Sequence, residues 1–74
     1  MPDIFDQMAE RWPAPSVARR KIEIFTGGAI KPKHMANLDS LGEGCPERLL
    51  IGGHICYPVA SFVPWLRARS QRKD

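Results

Sequence analysis

The sequence predicts a small α+β domain in which a helix-turn-helix is followed by a two-stranded hairpin and a closing helix. Two short amphipathic segments are separated by Gly27-Gly28, a pair typical of a turn between helices. Two apolar runs flank Gly52-Gly53-His54, which indicates a hairpin. A final segment has apolar residues at helical spacing up to Leu66. With 74 residues, the chain has room for one small domain.

Residues 1–15 are predicted to form an acidic amphipathic segment that ends in a proline linker. Helical spacing over residues 3–12 places four large side chains together, namely Ile4, Phe5, Met8 and Trp12. Pro13 ends this helix. The segment could be disordered, dock on its own domain, or dock on a second copy or a protein partner. Because a bulky apolar cluster is unfavourable in water, docking on a protein surface, its own or a partner's, is favoured.

The main domain is predicted over residues 16–70, and its first helix over residues 17–26. Ser16 is a suitable N-cap, and the spacing of Ala18, Ile22, Phe25 and Ala29 places them on one helical face. Gly27-Gly28 then ends the helix.

The second helix is predicted over residues 32–40, because Pro32 suits the first helical position. Met35 and Leu38 face inward together. Lys33, Asn37 and Ser40 share the outer face, and Lys31 and His34 lie at its N-terminal edge.

The hairpin has two registers. A two-residue turn pairs Ile51 with His54, whereas a three-residue loop pairs Ile51 with Ile55 and Leu49 with Tyr57. The three-residue loop gathers four large apolar side chains on one face. Exposing such a side chain to water instead of burying it costs roughly 1.5–3 kcal/mol. The sequence therefore favours the three-residue loop.

The closing helix is predicted over about residues 62–70, with Ser61 as its N-cap. This start keeps Pro64 within the first turn, where proline removes no helical hydrogen bond. Residues 71–74 then form a basic tail.

Neither a metal site nor an enzyme active site is predicted, and no cofactor is expected. His34, Cys45, His54 and Cys56 lack the spacing of zinc ligands. No phosphate-binding loop or nucleophile–base motif is present. No apolar run is long enough to span a membrane. Because no signal peptide is recognisable, a cytoplasmic location is expected.

The charge distribution and the second helix point towards double-stranded DNA as the partner. The net charge is +3, and residues 1–15 carry three acidic groups and one basic group, a net of −2, so the other residues carry +5. A helix that reads the major groove needs polar and basic side chains, since base edges offer hydrogen-bond donors and acceptors. The outer face of the second helix supplies them.

Residues 17–68 resemble the small excisionase and AlpA-type regulators, whose DNA-binding module is a MerR-like winged helix-turn-helix. The resemblance rests on Met35-Ala36-Asn37-Leu38-Asp39, Gly42-x-Gly44-x-Pro46, Ile51-Gly52, Ile55-x-Tyr57 and Trp65-Leu66. It implies a bacterial or phage transcription regulator or recombination factor, with the second helix in the major groove and the hairpin, or wing, on the backbone. Gly53-His54 stand where the resemblance leads one to expect basic wing residues.

The predicted DNA-binding residues fall into two groups. Lys33, His34, Asn37 and Ser40 are expected to read or approach bases, whereas Lys31, Arg48 and His54 are expected to meet phosphates. The alternative is a protein–protein interaction module on the same fold with weakened DNA binding. The apolar segment of residues 1–15 would then bind a protein partner or a second copy.

Overall fold

Residues 3–70 are described by a computed structural model, and they form an α+β architecture. In this part of the chain there are four α-helices, one 3-10 helix and a three-stranded antiparallel sheet. The elements are α1 (Ile4–Arg11), β1 (Ser16–Ala18), the 3-10 helix (Arg19–Lys21), α2 (Ile22–Phe25), α3 (Pro32–Ser40), β2 (Leu49–Ile51), β3 (His54–Pro58) and α4 (Val59–Arg69). The α+β class predicted from the sequence is confirmed.

The sheet has the strand order β1-β3-β2, and its first strand was not predicted. Ser16–Ala18 pairs antiparallel with β3, with Val17 opposite Tyr57. The prediction of Ser16 as an N-cap and of a helix over residues 17–26 is therefore wrong. Only Ile22–Phe25 is α-helical there, and Ala29 is exposed. The strand forms because pairing buries Val17 completely, which outweighs weak local helix propensity.

The helix predicted over residues 32–40 is confirmed as α3, and Met35 and Leu38 are buried as expected. The turn from α2 into α3 is organised by Thr26. Its hydroxyl donates to the carbonyl of Ile22 (2.9 Å) and accepts from the N–H of Ile30 (3.0 Å). Gly27 and Gly28 follow with φ of +66° and +91°, values that favour glycine. This turn fixes the direction in which α3 leaves α2.

The hairpin register favoured from the sequence is wrong. The strands pair Ile51 with His54, Leu50 with Ile55 and Leu49 with Cys56. Gly52 and Gly53 both have positive φ, +56° and +81°, as a two-residue hairpin turn requires. The burial argument failed because all three residues of β2 are exposed, so the favoured register gained no core contact for them. Turn geometry decided the register instead.

The start predicted for the closing helix is also wrong. Helix α4 begins at Val59, directly after β3, and Pro64 lies inside it. The N–H of Val59 donates to the carbonyl of Pro15 (2.8 Å), which ties the first turn to the chain before β1. Phe62 and Val63 are buried, and burying each side chain stabilises the fold by about 1.5–3 kcal/mol. This burial offsets the roughly 3 kcal/mol that an interior proline costs.

The predicted N-terminal helix is confirmed as α1, and it docks on its own domain. Asp3 caps it, accepting from the N–H of Asp6 (2.9 Å). Phe5, Met8, Ala9 and Trp12 pack against the core cluster of buried residues, which comprises Val17, Ile22, Phe25, Met35, Leu38, Cys45, Tyr57, Phe62, Val63 and Leu66. Arg67 of α4 binds Asp3 (2.9 Å) and Asp6 (3.2 Å). Three outcomes were left open for residues 1–15, and the structure shows α1 docked on its own domain.

The predicted basic tail, residues 71–74, lies outside the described residues. Within residues 3–70, no helix has both the length and the apolar character needed to cross a membrane.

Candidate nucleic-acid interface

The outer face of α3 presents polar and basic side chains to solvent. Lys33, Asn37 and Ser40 are exposed, while Met35 and Leu38 point into the core. This matches the division predicted from helical spacing. The exposed face can therefore meet a ligand without disturbing the packing of the helix.

The N-terminal end of α3 forms a shallow basic cleft. Four of the predicted site residues line it, together with Gly28 and Ala29: Lys31, Lys33, His34 and Asn37. Lys31 is the N-cap and makes no side-chain cap hydrogen bond, so no side chain of the described residues satisfies the first-turn N–H groups. Gly28, which has no side chain, lines the cleft beside these residues.

The tip of the hairpin lies close to the start of α3. Exposed His54 lines a second cleft with Arg19, Arg20, Gly53 and Pro32, the first residue of α3. Arg20 is exposed on the 3-10 helix and was not among the predicted site residues. The sequence analysis had included it in the helix predicted over residues 17–26. The structure thus adds one cation to the predicted set.

Ser40 and Arg48 lie apart from these clefts, at the C-terminal end of α3 and in the loop before β2. The Arg48 guanidinium is half-exposed, and its Nη1 lies 3.5 Å from the carbonyl oxygen of Asp39 and 3.7 Å from Oδ1. Arg48 is therefore partly held by its own chain. Ser40 is exposed.

A buried polar cluster beneath the outer face of α3 was missed by sequence reasoning. The side chain of Asp39 is only 4% exposed. Its Oδ2 accepts from Arg19 Nη2 (2.6 Å) and from the hydroxyl of Tyr57 (2.5 Å), and Arg19 Nε donates to the same hydroxyl (2.9 Å). We call Arg19, Asp39 and Tyr57 the buried triad. It joins the 3-10 helix, α3 and β3, so it fixes α3 against the sheet.

One signal in the sequence could have revealed the triad. Asp39 follows Met35 by four residues, so helical periodicity places its carboxylate on the buried side of α3. A carboxylate there requires a cation or donors. Nothing local identifies Arg19 as that cation, because it lies 20 residues earlier in the chain.

The ionisation of the triad follows from its burial and hydrogen bonds. Burial, followed by the hydrogen bond to Asp39, raises the pKa of Tyr57 to about 12. Burial alone would lower the pKa of Arg19, but hydrogen bonds to Tyr57 and Asp39 outweigh it and raise that pKa. The triad consequently holds a neutral Tyr57 phenol at neutral pH, next to the Arg19–Asp39 salt bridge (2.6 Å).

The histidines and cysteines do not come together. Within residues 3–70 no group of three or more His, Cys, Asp or Glu side chains is arranged to hold a metal ion. Cys45 and Cys56 are buried free thiols. Burial raises the pKa of the Cys45 thiol, which keeps it in the unreactive protonated form.

Comparisons of the chain with protein-family models, with curated proteins and with solved structures find no match.

Proposed function

We propose that the chain binds double-stranded DNA as a winged helix-turn-helix, with α2 and α3 as the helix-turn-helix and the β2–β3 hairpin as the wing. The observation that carries the proposal is the cleft at the start of α3. There Lys31, Lys33, His34 and Asn37 converge. The outer face of α3 has no acidic side chain, since the one acid of this helix, Asp39, is buried.

The electrostatics of α3 support an anionic partner. Its first turn contains no acidic residue, although acids there would stabilise the helix. Lys33 occupies that turn instead, where its positive charge opposes the helix dipole. A phosphate bound there would be favoured both by the lysines and by the uncapped N–H groups.

The residues divide between bases and phosphates according to their position. Lys33, His34, Asn37 and Ser40 lie on the exposed face that would enter the major groove, and Asn can pair with adenine in two hydrogen bonds. Lys31, Arg48 and His54 would bind phosphates. Arg20 joins that group because it shares a cleft with His54. Arg48 is the weakest member because Asp39 already holds it.

The biological role we propose is a cytoplasmic bacterial or phage transcription regulator, or an excisionase-like recombination factor. It rests on the resemblance of residues 17–68 to those regulators. The glycines at the wing tip make the wing a poor phosphate binder, so α3 would provide most of the affinity.

The experiment is a fluorescence-anisotropy titration against random and genomic duplex DNA at two salt concentrations. About three to five phosphate contacts give a slope of log K against log salt of roughly −3 to −5. Lys33→Ala should weaken binding. The matched control is Arg11→Ala, which removes the same charge from α1 and should leave affinity nearly unchanged. Equal losses from both variants would show that only net charge matters, and the proposed site would be wrong.

A second candidate function, protein–protein interaction, is favoured by an apolar groove between α1 and α2. Met8, Trp12 and Phe25 line it, and Ile4 and Ile24 are exposed beside it. This function would be preferred if the titration found no salt-dependent binding to any duplex.

A further inference from the structure

The open edge of the sheet carries three consecutive exposed apolar residues. Among residues 3–70, strand β2 pairs only with β3, and its Leu49, Leu50 and Ile51 are 45%, 72% and 50% exposed. Soluble proteins usually protect such an edge, because its free backbone groups pair readily with another strand. An apolar strand at an open edge therefore indicates an interaction surface.

The register shows which backbone groups face outward. Pairs in an antiparallel ladder alternate between bonded and non-bonded, and the pair that closes a two-residue turn is bonded. Ile51–His54 and Leu49–Cys56 are thus the bonded pairs of the hairpin. The hydrogen bond from the Val59 N–H to the Pro15 carbonyl agrees with this assignment. It indicates that the odd-numbered residues of β3 bond towards β1, which leaves the even-numbered residues His54 and Cys56 to bond towards β2. Leu50 consequently directs both its N–H and its C=O away from β3.

The charges nearest to this edge are engaged within the chain. Glu47 accepts a hydrogen bond from the hydroxyl of Ser61 (2.7 Å), and Arg48 is drawn towards Asp39 (3.7 Å). Neither protects the edge in the way that an outward-pointing charge on an edge strand does.

We propose that β2 pairs antiparallel with β2 of a second copy of the chain, about a two-fold axis at Leu50. The two Leu50 residues then face each other and exchange two backbone hydrogen bonds. Each Leu49 lies opposite the partner's Ile51, so both faces of the new pair are apolar. The two sheets join into one continuous six-stranded sheet.

The charged residues that precede β2 are compatible with this pairing. In this register Arg48 faces the partner's Gly52 and Glu47 faces the partner's Gly53, so no like charges meet. A three-residue strand buries little surface, and small interfaces are weak. The dimer accordingly dissociates at concentrations from micromolar to millimolar. It does not depend on whether the chain binds DNA.

The experiment is analytical ultracentrifugation of the full chain from roughly 10 μM to 1 mM. The wild type should pass from monomer to dimer over this range. Leu50→Lys places two lysines opposite each other and should raise the dimer dissociation constant about tenfold or more. Leu50→Glu by itself should weaken the dimer in the same way, because two glutamates then face each other. An equimolar mixture of the two variants should restore a dimer, because Lys then faces Glu at the axis.

The matched control is Leu41→Lys, which makes the same substitution at another exposed leucine, 70% exposed at the C-terminal cap of α3, and should leave the dimer intact. Circular dichroism and melting temperature verify that each variant is folded. A wild type that stays monomeric at every concentration would overturn the proposal and leave the edge to a strand of another protein. A dimer unaffected by Leu50→Lys, or a mixture that does not recombine, would overturn it too.

Discussion

Replacing Asp39 by Asn should remove the ionic link that holds α3 against the sheet. The carboxylate binds Arg19 and Tyr57 through Oδ2, and its side chain is nearly inaccessible. Asn has the same shape but no charge, and its amide group adds two donors. Oδ1 of Asp39 has no hydrogen-bond partner among the described residues. The new N–H groups would therefore lack an acceptor there or face the donors of Arg19.

The magnitude follows from burial. Removing one partner of a buried ion pair costs about 3–5 kcal/mol. The Arg19 side chain is 26% exposed, so water compensates part of its lost partner, and we expect roughly 2–3 kcal/mol. At about 4–8 °C per kcal/mol for a domain of this size, the melting temperature should fall by roughly 10–20 °C.

Thermal and urea unfolding followed by circular dichroism measure this loss. Arg48→Ala is the control, since Arg48 is half-exposed and 3.7 Å from Oδ1, and it should change stability by less than about 1 kcal/mol. Asp39→Asn combined with Tyr57→Phe should be less than additive, because Asp39→Asn already weakens the acceptor of the hydrogen bond that Tyr57→Phe removes. An Asp39→Asn protein that melts within about 2 °C of the wild type, well under 1 kcal/mol, would refute the role given to the buried triad.

Four further outcomes are expected. Tyr57, the single tyrosine, should show phenolate absorbance only near pH 12 in the folded chain. Because the pKa of Tyr57 rises on folding, the neutral phenol contributes fully to stability below about pH 10, and this contribution is lost as pH rises through 12. The free energy of unfolding, measured by denaturant titration, should fall by roughly 3 kcal/mol over that range; titration of Tyr57 near pH 10 would contradict this. Asn37→Ala should weaken binding to the preferred duplex by about 1–3 kcal/mol. Lys31→Ala should instead weaken binding to all duplexes alike and lower the slope of log K against log salt by about one unit. If anisotropy titrations show the same loss for both variants on every duplex, Asn37 does not read a base. Deleting residues 1–14 should lower the melting temperature by about 10 °C or more without weakening DNA binding, and an unchanged melting temperature would mean that α1 does not contribute. Pro64→Ala should stabilise the chain by about 1–3 kcal/mol, because an N–H returns to the interior of α4; a loss of stability would contradict that.

Local patterns in the sequence determined the parts of the fold that depend on neighbouring residues. The spacing of Met35 and Leu38, with Pro32 at the start, was enough to place α3 and its exposed face. The same holds for α1, where Asp3 caps an amphipathic turn. Periodicity and capping act within one or two helical turns, and the sequence displays them directly. The α3 residues of the candidate site were therefore predictable.

Only the tertiary structure decided the features that join distant residues. Val17 becomes part of a strand because it lies opposite Tyr57, and Asp39 is buried because Arg19 and Tyr57 reach it from other elements. The burial argument for the hairpin register failed because the core does not cover β2, and the sequence alone does not show which face of a strand the core covers. Strand pairing, burial and ion pairing across the chain depend on what each side chain meets after folding. Local propensity, worth a few tenths of a kcal/mol per residue, does not outweigh them.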